Sequence, residues 1–497
     1  MSMTGKQIIG YGLSQEGSRE FHGINASTGE VVGPIFYEAT TDEVDAALTL
    51  AKSSFPKYRK ISDLDRAQFL MAIIDEINAI GDELIQTACA ESGLPEARIT
   101  GERGRTTGQI KAFADFISND QWRKEIHDPA LPDRQPLPKP DLFQKQIPLG
   151  PSVIFGASNF PLAFSVAGGD TISALAAGCP VVFKAHPAHP NTCELIGTAI
   201  QKAAQKTHMP EGVFSMIHAT SHEIGGYLVT HPITQAVGFT GSYRGGKALY
   251  DLAVRRPQPI PVYAEMGSIN PVVLLSEKIK ISEEALADGL SQSVCMGVGQ
   301  FCTNPGLLIL LKSDEGFLDL LASRLNLMPL GTFLTQGIKE AYANGTKSLA
   351  NHSGVQQLTQ ADLPSPALFK TSAKEAMIHP EVLEEVFGPS TLAIVAENMD
   401  EMIAFIDSLP GQLTATVQGE LSELSKSSPD IIEALTQKVG RILLNGFPTG
   451  VEVSGAMVHG GPFPSTTDSR STSVGTQAIY RFTRPVCFQN FSSELIP

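Results

Sequence analysis

The chain has 497 residues, with 37 Lys and Arg against 52 Asp and Glu, a net charge of −15. Its composition, 42% hydrophobic and 18% charged, is globular, and its length predicts two or more domains. So acidic a chain disfavours duplex nucleic acid as a partner, and it meets an anionic substrate only with local positive charge.

Its six cysteines make no C-x-x-C pair and no zinc-spaced cluster, which predicts a reduced protein without a metal. The opening "MSMTGKQIIGYGLSQEG" has no apolar leader region, and no apolar run reaches the ~18 residues of a membrane span. A cytoplasmic location with no membrane partner is expected.

Residues 40–118 carry helical periodicity. "TTDEVDAALTLAKSSF" opens on a capping-box pattern, Thr40 to Glu43. Between Pro129 and Pro148 six prolines exclude helix and predict an extended arm or linker. From residue 150 the runs "SVIFGAS", "PVVFKAH", "VFSMIHA" and "QAVGFTG" alternate with helical stretches. That alternation predicts βαβ units and a parallel sheet covered on both faces. Ligands of such sheets sit beyond the carboxyl ends of the strands, so "FGASNFP", "FKAHPAHP" and "FTGSYRGG" are expected to share one crevice. The pattern restarts with "IPVYAEMG", "NPVVLLS" and "GLLILLK", which predicts a second α/β domain from residue 263. The tail "GTQAIYRFTRPVCFQNF" has the character of a strand that pairs with the proline-rich arm or with a neighbouring subunit.

Several residues carry candidate chemistry, each with a plainer alternative. Cys302 in "GVGQFCTNPG" and Cys295 in "SVCMG" are nucleophiles or buried apolar residues. "FTGSYRGGKAL" approaches a phosphate-binding loop through Gly241, Gly246 and Lys247, but Ala248 stands where a hydroxyl should hold magnesium. A glycine-rich turn entering a helix can still present N–H groups to a phosphate, with Arg244 and Lys247 adding charge. No G-x-G-x-x-G follows any strand. Lys184 in "VVFKAHP" is a solvated strand-end lysine or a donor to a ribose or phosphate. Glu265 in "YAEMGSINP" is an ordinary carboxylate or a general base. Asn159 in "ASNFP" is a turn residue or an oxyanion donor. A nucleophile, a base and an oxyanion donor together make an acyl-transfer set.

Taken in order, "SNFP", "FTGS", "AEMGSINP", "GQFCTNPG" and "EEVFGP" resemble the aldehyde dehydrogenase superfamily, over almost the whole chain. The resemblance implies an α/β fold of three parts. A Rossmann-like cofactor domain takes residues 1–124 and 148–262, and a second α/β catalytic domain takes 263–470. A small β bridging and oligomerisation element takes 125–147 and 471–497, supporting a homodimer or homotetramer. It also implies roles. Cys302 matches the catalytic thiol, Glu265 the base in E-M-G-S and Asn159 the oxyanion amide. Lys184 and Glu385 match the residues that hold the two riboses, Phe387 the aromatic beside the nicotinamide ribose, and Ser242 a residue near the pyrophosphate. The implied reaction oxidises an aldehyde to its acid through a Cys302 thioester.

Two departures sharpen this. Pro187 stands where NAD-preferring members carry a ribose-binding glutamate, which admits NADP, with Lys184 and Arg244 expected at its 2′-phosphate; NAD remains possible. "AS" precedes "NFP" where many relatives have "PW", which alters the wall of the substrate tunnel. The stretch from Asn445 to Asn490 resembles the bacterial 2,5-dioxovalerate (α-ketoglutarate semialdehyde) dehydrogenases. That implies oxidation of 2,5-dioxopentanoate to 2-oxoglutarate, with Arg470 in "TTDSRSTS" a candidate for the substrate carboxylate or a loop-stabilising arginine. The alternatives are a broad-specificity or fatty aldehyde dehydrogenase, a phosphate-loop ATPase and an inactive family member.

Overall fold

The computed structural model describes residues 3–119, 121–360, 364–427 and 429–496. Two seven-stranded sheets organise it. In the first, Val262–Glu265, Ala236–Thr240, Ser152–Phe155, Val181–Ala185 and Phe214–His218 lie side by side, all parallel. The short strands Gln7–Ile9 and Gly12–Ser14 add antiparallel at the far edge. Ser152–Phe155 leads one way to Val181–Ala185 and Phe214–His218, whereas Ala236–Thr240 returns to its other side. The order therefore reverses between Ser152–Phe155 and Ala236–Thr240, and a crevice opens there at the carboxyl ends. The three loops expected to share a crevice follow three adjacent strands of this sheet.

The helices covering it form where the periodicity placed them. Thr41–Tyr58 starts at the capping box, with Thr40 accepting from the Glu43 N–H and Glu43 reaching back. Asp63–Ile80, Asp82–Ser92 and Glu96–Ser118 follow. Their apolar stripes meet Pro190–Lys206 and Gly169–Ala177 in one buried core that includes Phe69, Ile73, Ile110, Phe113, Ile196 and Ile200. Gly169–Ala177 is shorter than the stretch "AFSVAGGDTISALAAG" implied, because the Gly168–Gly169 pair marks where the helix starts.

The second sheet runs Gln356–Gln357, Ala367–Ser372, Ser390–Ala396, Leu307–Leu311, Pro271–Leu274, Thr414–Gln418 and Arg441–Leu444, parallel except for the first. One expectation is corrected here. "IPVYAEMG" does not start the second domain's sheet. Val262–Glu265 pairs in parallel with Ala236–Thr240 and closes the edge of the first sheet. Apolar strand residues suit either sheet, so only pairing could assign the run.

The tail strand, Thr483–Gln489, pairs antiparallel with Leu142–Pro148 of the arm, and Ile126–Asp128 completes a three-stranded sheet. The expected pairing with the arm is made. Its first half departs from expectation: Thr476–Phe482 is a 3₁₀ turn packed against Gly169–Ala177, with Ala478, Ile479 and Phe482 buried. Among the described residues no helix is long and apolar enough to cross a membrane.

Candidate active site

Cys302 follows a turn that strongly constrains its position. Gly297, Val298 and Gly299 all have positive φ, at 56°, 61° and 64°. A β-branched residue rarely adopts that region, so the turn holds strain beside the site. Gly299 has no alternative, since a Cβ there would lie 2.3 Å from the Gly388 carbonyl. Asn270, fully buried, donates from Nδ2 to the carbonyls of Cys302 and Asn304, each at 2.9 Å. Asn159 donates from Nδ2 to the Gln300 carbonyl at 3.0 Å. An amide nitrogen carries two hydrogens, so one is left for a further acceptor at this point, two residues from Cys302 in the chain.

Glu265 ends the edge strand of the first sheet and is 1% exposed. The loop after Arg441–Leu444 crosses back onto this strand. Met266 N–H bonds the Ser465 carbonyl, and Thr467 N–H bonds that of Ala264. The crossing carries two residues that motif reasoning missed. His459 Nε2 lies 2.9 Å from Glu265 Oε1 and 3.4 Å from Cys302 Sγ, and Ser473 Oγ donates to Glu265 Oε2 at 2.6 Å. Thiol, imidazole and carboxylate are thus one contiguous group. The only sequence signal was a lone His in a glycine-rich loop, which has no spacing relation to Cys302 or Glu265.

The electrostatics follow from these contacts. Burial alone would raise the Glu265 carboxyl, but the His459 ring and hydrogen bonds from His459, Ser473 and Cys302 outweigh it and hold the group below its ordinary value. Burial pushes the Cys302 thiol well up, and neighbouring Glu265 pushes it further. A thiol so placed reacts only if its proton has an acceptor at hand. Replacing His459 by Gln removes the ring that keeps Glu265 ionised, leaving burial to raise its pKa. The acid limb of the kcat/KM profile is then expected to move to higher pH, whereas an unmoved limb would show that Glu265 is not tuned by His459.

Cys295 ends the helix Ser276–Cys295 and packs beside an apolar cluster, and burial takes its thiol to about 12. Nothing equips it as a nucleophile.

The crevice residues suit a dinucleotide. Ser242 caps the helix Tyr243–Val254, accepting from the Gly245 N–H, and the exposed turn Gly241–Arg244 lies at the carboxyl end of Ala236–Thr240. Lys184 lies one residue before the end of its strand, half-buried, with no carboxylate in ion-pair distance among the described residues, and burial lowers its ammonium to about 8. A buried cation without an acid partner suits a ligand's hydroxyl or phosphate. Glu385 stands at the cleft mouth across the second sheet, beside Phe387. The crowded cleft pushes its carboxyl up to about 7, opposed by the Ser268 N–H. A Cβ on Gly267 would lie 2.2 Å from Glu385 Oε2, so a side chain there would displace the Glu385 carboxylate.

Two sequence-based candidates move away from the site. Lys247 is tied to Asp251 on its own helix at 2.7 Å, which takes it out of a phosphate loop. Arg470 is also corrected. Its side chain is 87% exposed and clamped on Asp468 through Nε at 2.9 Å and Nη2 at 3.0 Å, so it is a loop-stabilising arginine.

The aldehyde dehydrogenase family model matches residues 13–485. The chain is 48% identical to alpha-ketoglutaric semialdehyde dehydrogenase 2 of Azospirillum brasilense, covering 100% of this chain and 96% of that one. It is 44% identical to alpha-ketoglutaric semialdehyde dehydrogenase of Acinetobacter baylyi, covering 99% and 95%. The fold is shared with a solved aldehyde dehydrogenase of Pseudomonas syringae in complex with NAD+ and octanal, at TM-score 0.83, 19% identity and coverage of 98% and 97%. A matching model over nearly the whole length, on a fold that brings a cysteine and a carboxylate together beside a dinucleotide crevice, places this chain in the aldehyde dehydrogenase family, oxidoreductases that use NAD(P) to convert aldehydes to acids.

Proposed function

We propose that this enzyme oxidises 2,5-dioxopentanoate to 2-oxoglutarate with a preference for NADP. The observation that carries the reaction is the contact series from Cys302 Sγ to His459 Nε2 to Glu265 Oε1. The substrate assignment is supported by the two relatives named for α-ketoglutaric semialdehyde, each matched end to end.

Cys302 Sγ adds to the aldehyde carbon and its proton passes to His459 Nε2, where the Glu265 carboxylate balances the charge of the ring. The Asn159 amide and the Cys302 N–H hold the oxyanion. A bound nicotinamide dinucleotide would supply the hydride acceptor, and loss of the hydride turns the adduct on Cys302 into a thioester. Glu265 then takes a proton from water, the hydroxide adds to the thioester, the C–S bond breaks and the acid leaves. Lys184 and Glu385 would hold the two riboses, with Phe387 beside the second and Ser242 at the pyrophosphate.

NADP preference is supported by Pro187, which puts no carboxylate where a 2′-phosphate would stand, and by Lys184 and the exposed Arg244 on the same rim. Steady-state kinetics with each cofactor are expected to give the higher kcat/KM with NADP; a higher value with NAD would overturn this. A homodimer or homotetramer built through the three-stranded arm-and-tail sheet, and a cytoplasmic location, complete the reading.

A further inference from the structure

We propose that Arg105 is the cation that binds the substrate carboxylate. This rests on the semialdehyde-acid reading above. The helix Glu96–Ser118 turns one face, carrying Arg98, Glu102, Arg105 and Gln109, towards the loop that bears Asn159. Glu102 accepts the N–H groups of Leu162 and Ala163, each at 2.9 Å, so this helix and the site loop are fixed together. The Arg105 guanidinium lies 5.1 Å from the Phe164 ring centroid, and Phe164 in turn lies 6.1 Å from the His459 ring. Phe160, Phe164 and Phe301 form the adjoining aromatic wall.

Other cations nearby are occupied. Arg98 pairs with Glu102 at 2.8 Å. Arg441 donates to the carbonyls of Gly450 and Pro448 at 2.7 Å each and to Thr414 Oγ1. Arg470 is held by Asp468. Arg105 differs: its Nη2 is buried without a hydrogen-bond partner, and among the described residues no carboxylate lies in ion-pair distance. Burial lowers its pKa, while Glu102, Cys302 and Glu265 act against that, so it shares the field of the reacting groups. A buried guanidinium with a free donor beside an apolar wall is costly alone and is stabilised by a carboxylate that forks onto it. The acidic net charge makes such a local cation necessary for an anionic substrate.

The test compares Arg105→Gln and Arg105→Lys with the parent on 2,5-dioxopentanoate and on pentanal, a neutral aldehyde of equal length. Arg105→Gln is expected to raise KM for the charged aldehyde about 10- to 100-fold, with kcat and the pentanal kinetics little changed, and Arg105→Lys to recover part of the loss. Equal losses on both aldehydes, or an unmoved KM for the charged one, overturn the assignment. A parent that prefers pentanal sinks the substrate reading alone. Arg105 is then decided by inhibition of pentanal oxidation by 2-oxoglutarate. Arg105→Gln weakens that inhibition about tenfold or more if the subsite is real. Unchanged inhibition, or none in the parent, overturns it.

Discussion

Cys302→Ala is expected to lower aldehyde oxidation by on the order of 10⁴-fold or more, because the covalent route through the thioester is lost entirely. Cys295→Ala is expected to leave the rate at the parental level. The two thiols are seven residues apart in sequence, and their surroundings explain the contrast. Cys302 has His459 and Glu265 against it, whereas Cys295 closes a helix over apolar side chains. The check is the absorbance of reduced cofactor for both variants, with intact mass after mixing with aldehyde and cofactor to show the acyl adduct. Turnover by Cys302→Ala near the parental rate would remove the covalent mechanism.

Glu265→Gln is expected to separate the two halves of the reaction. Gln keeps the shape and can still bond His459 and Ser473, but it cannot take a proton from water. The steady-state rate should fall about 10²- to 10⁴-fold. A rapid burst of reduced cofactor, close to one per active site, should remain as acylated enzyme accumulates. Steady turnover at the parental rate would sink the assignment of Glu265 as hydrolytic base. Loss of the burst together with the steady rate would place its role before the thioester.

The pH dependence rests on the same contacts. Glu265 is held below its ordinary value by His459 and its hydrogen bonds, so it stays ionised through neutrality and into mild acid. The ionised form is the one that accepts a proton. The raised Cys302 thiol works in the opposite sense, since its free thiolate gains population only as pH rises. Proton transfer within the contact series lets the two meet near neutral pH.

Much of the first sheet was legible in the linear chain, and for a physical reason. Its strands are short β-branched runs bounded by glycine and proline, and its helices carry period-3.6 stripes and caps, as at Thr40 and Glu43. Those are local signals. Val262–Glu265 reads with the second sheet and pairs in the first, because hydrophobicity marks a strand as buried and does not say which neighbour it bonds. The 3₁₀ turn Thr476–Phe482 reads as strand in the chain because its apolar residues are explained only by packing on Gly169–Ala177, a contact made across some 300 residues.

The amino-acid sequence by itself determined the α/β class and the strand-end loops, and it singled out Cys302, Glu265 and Asn159 as candidates, since each lies in a short motif whose residue types suit acyl transfer. Tertiary structure alone decided what tunes that set. His459 and Ser473 reach Glu265 from about 200 positions away. Arg470 pairs with Asp468 on the surface, while Arg105, with no motif around it, stacks against Phe164 beside the site. An ion pair or an unpaired cation depends on distances of a few ångströms between segments remote in the chain. No local pattern encodes those distances; only the folded arrangement of both sheets and the crossing loop does.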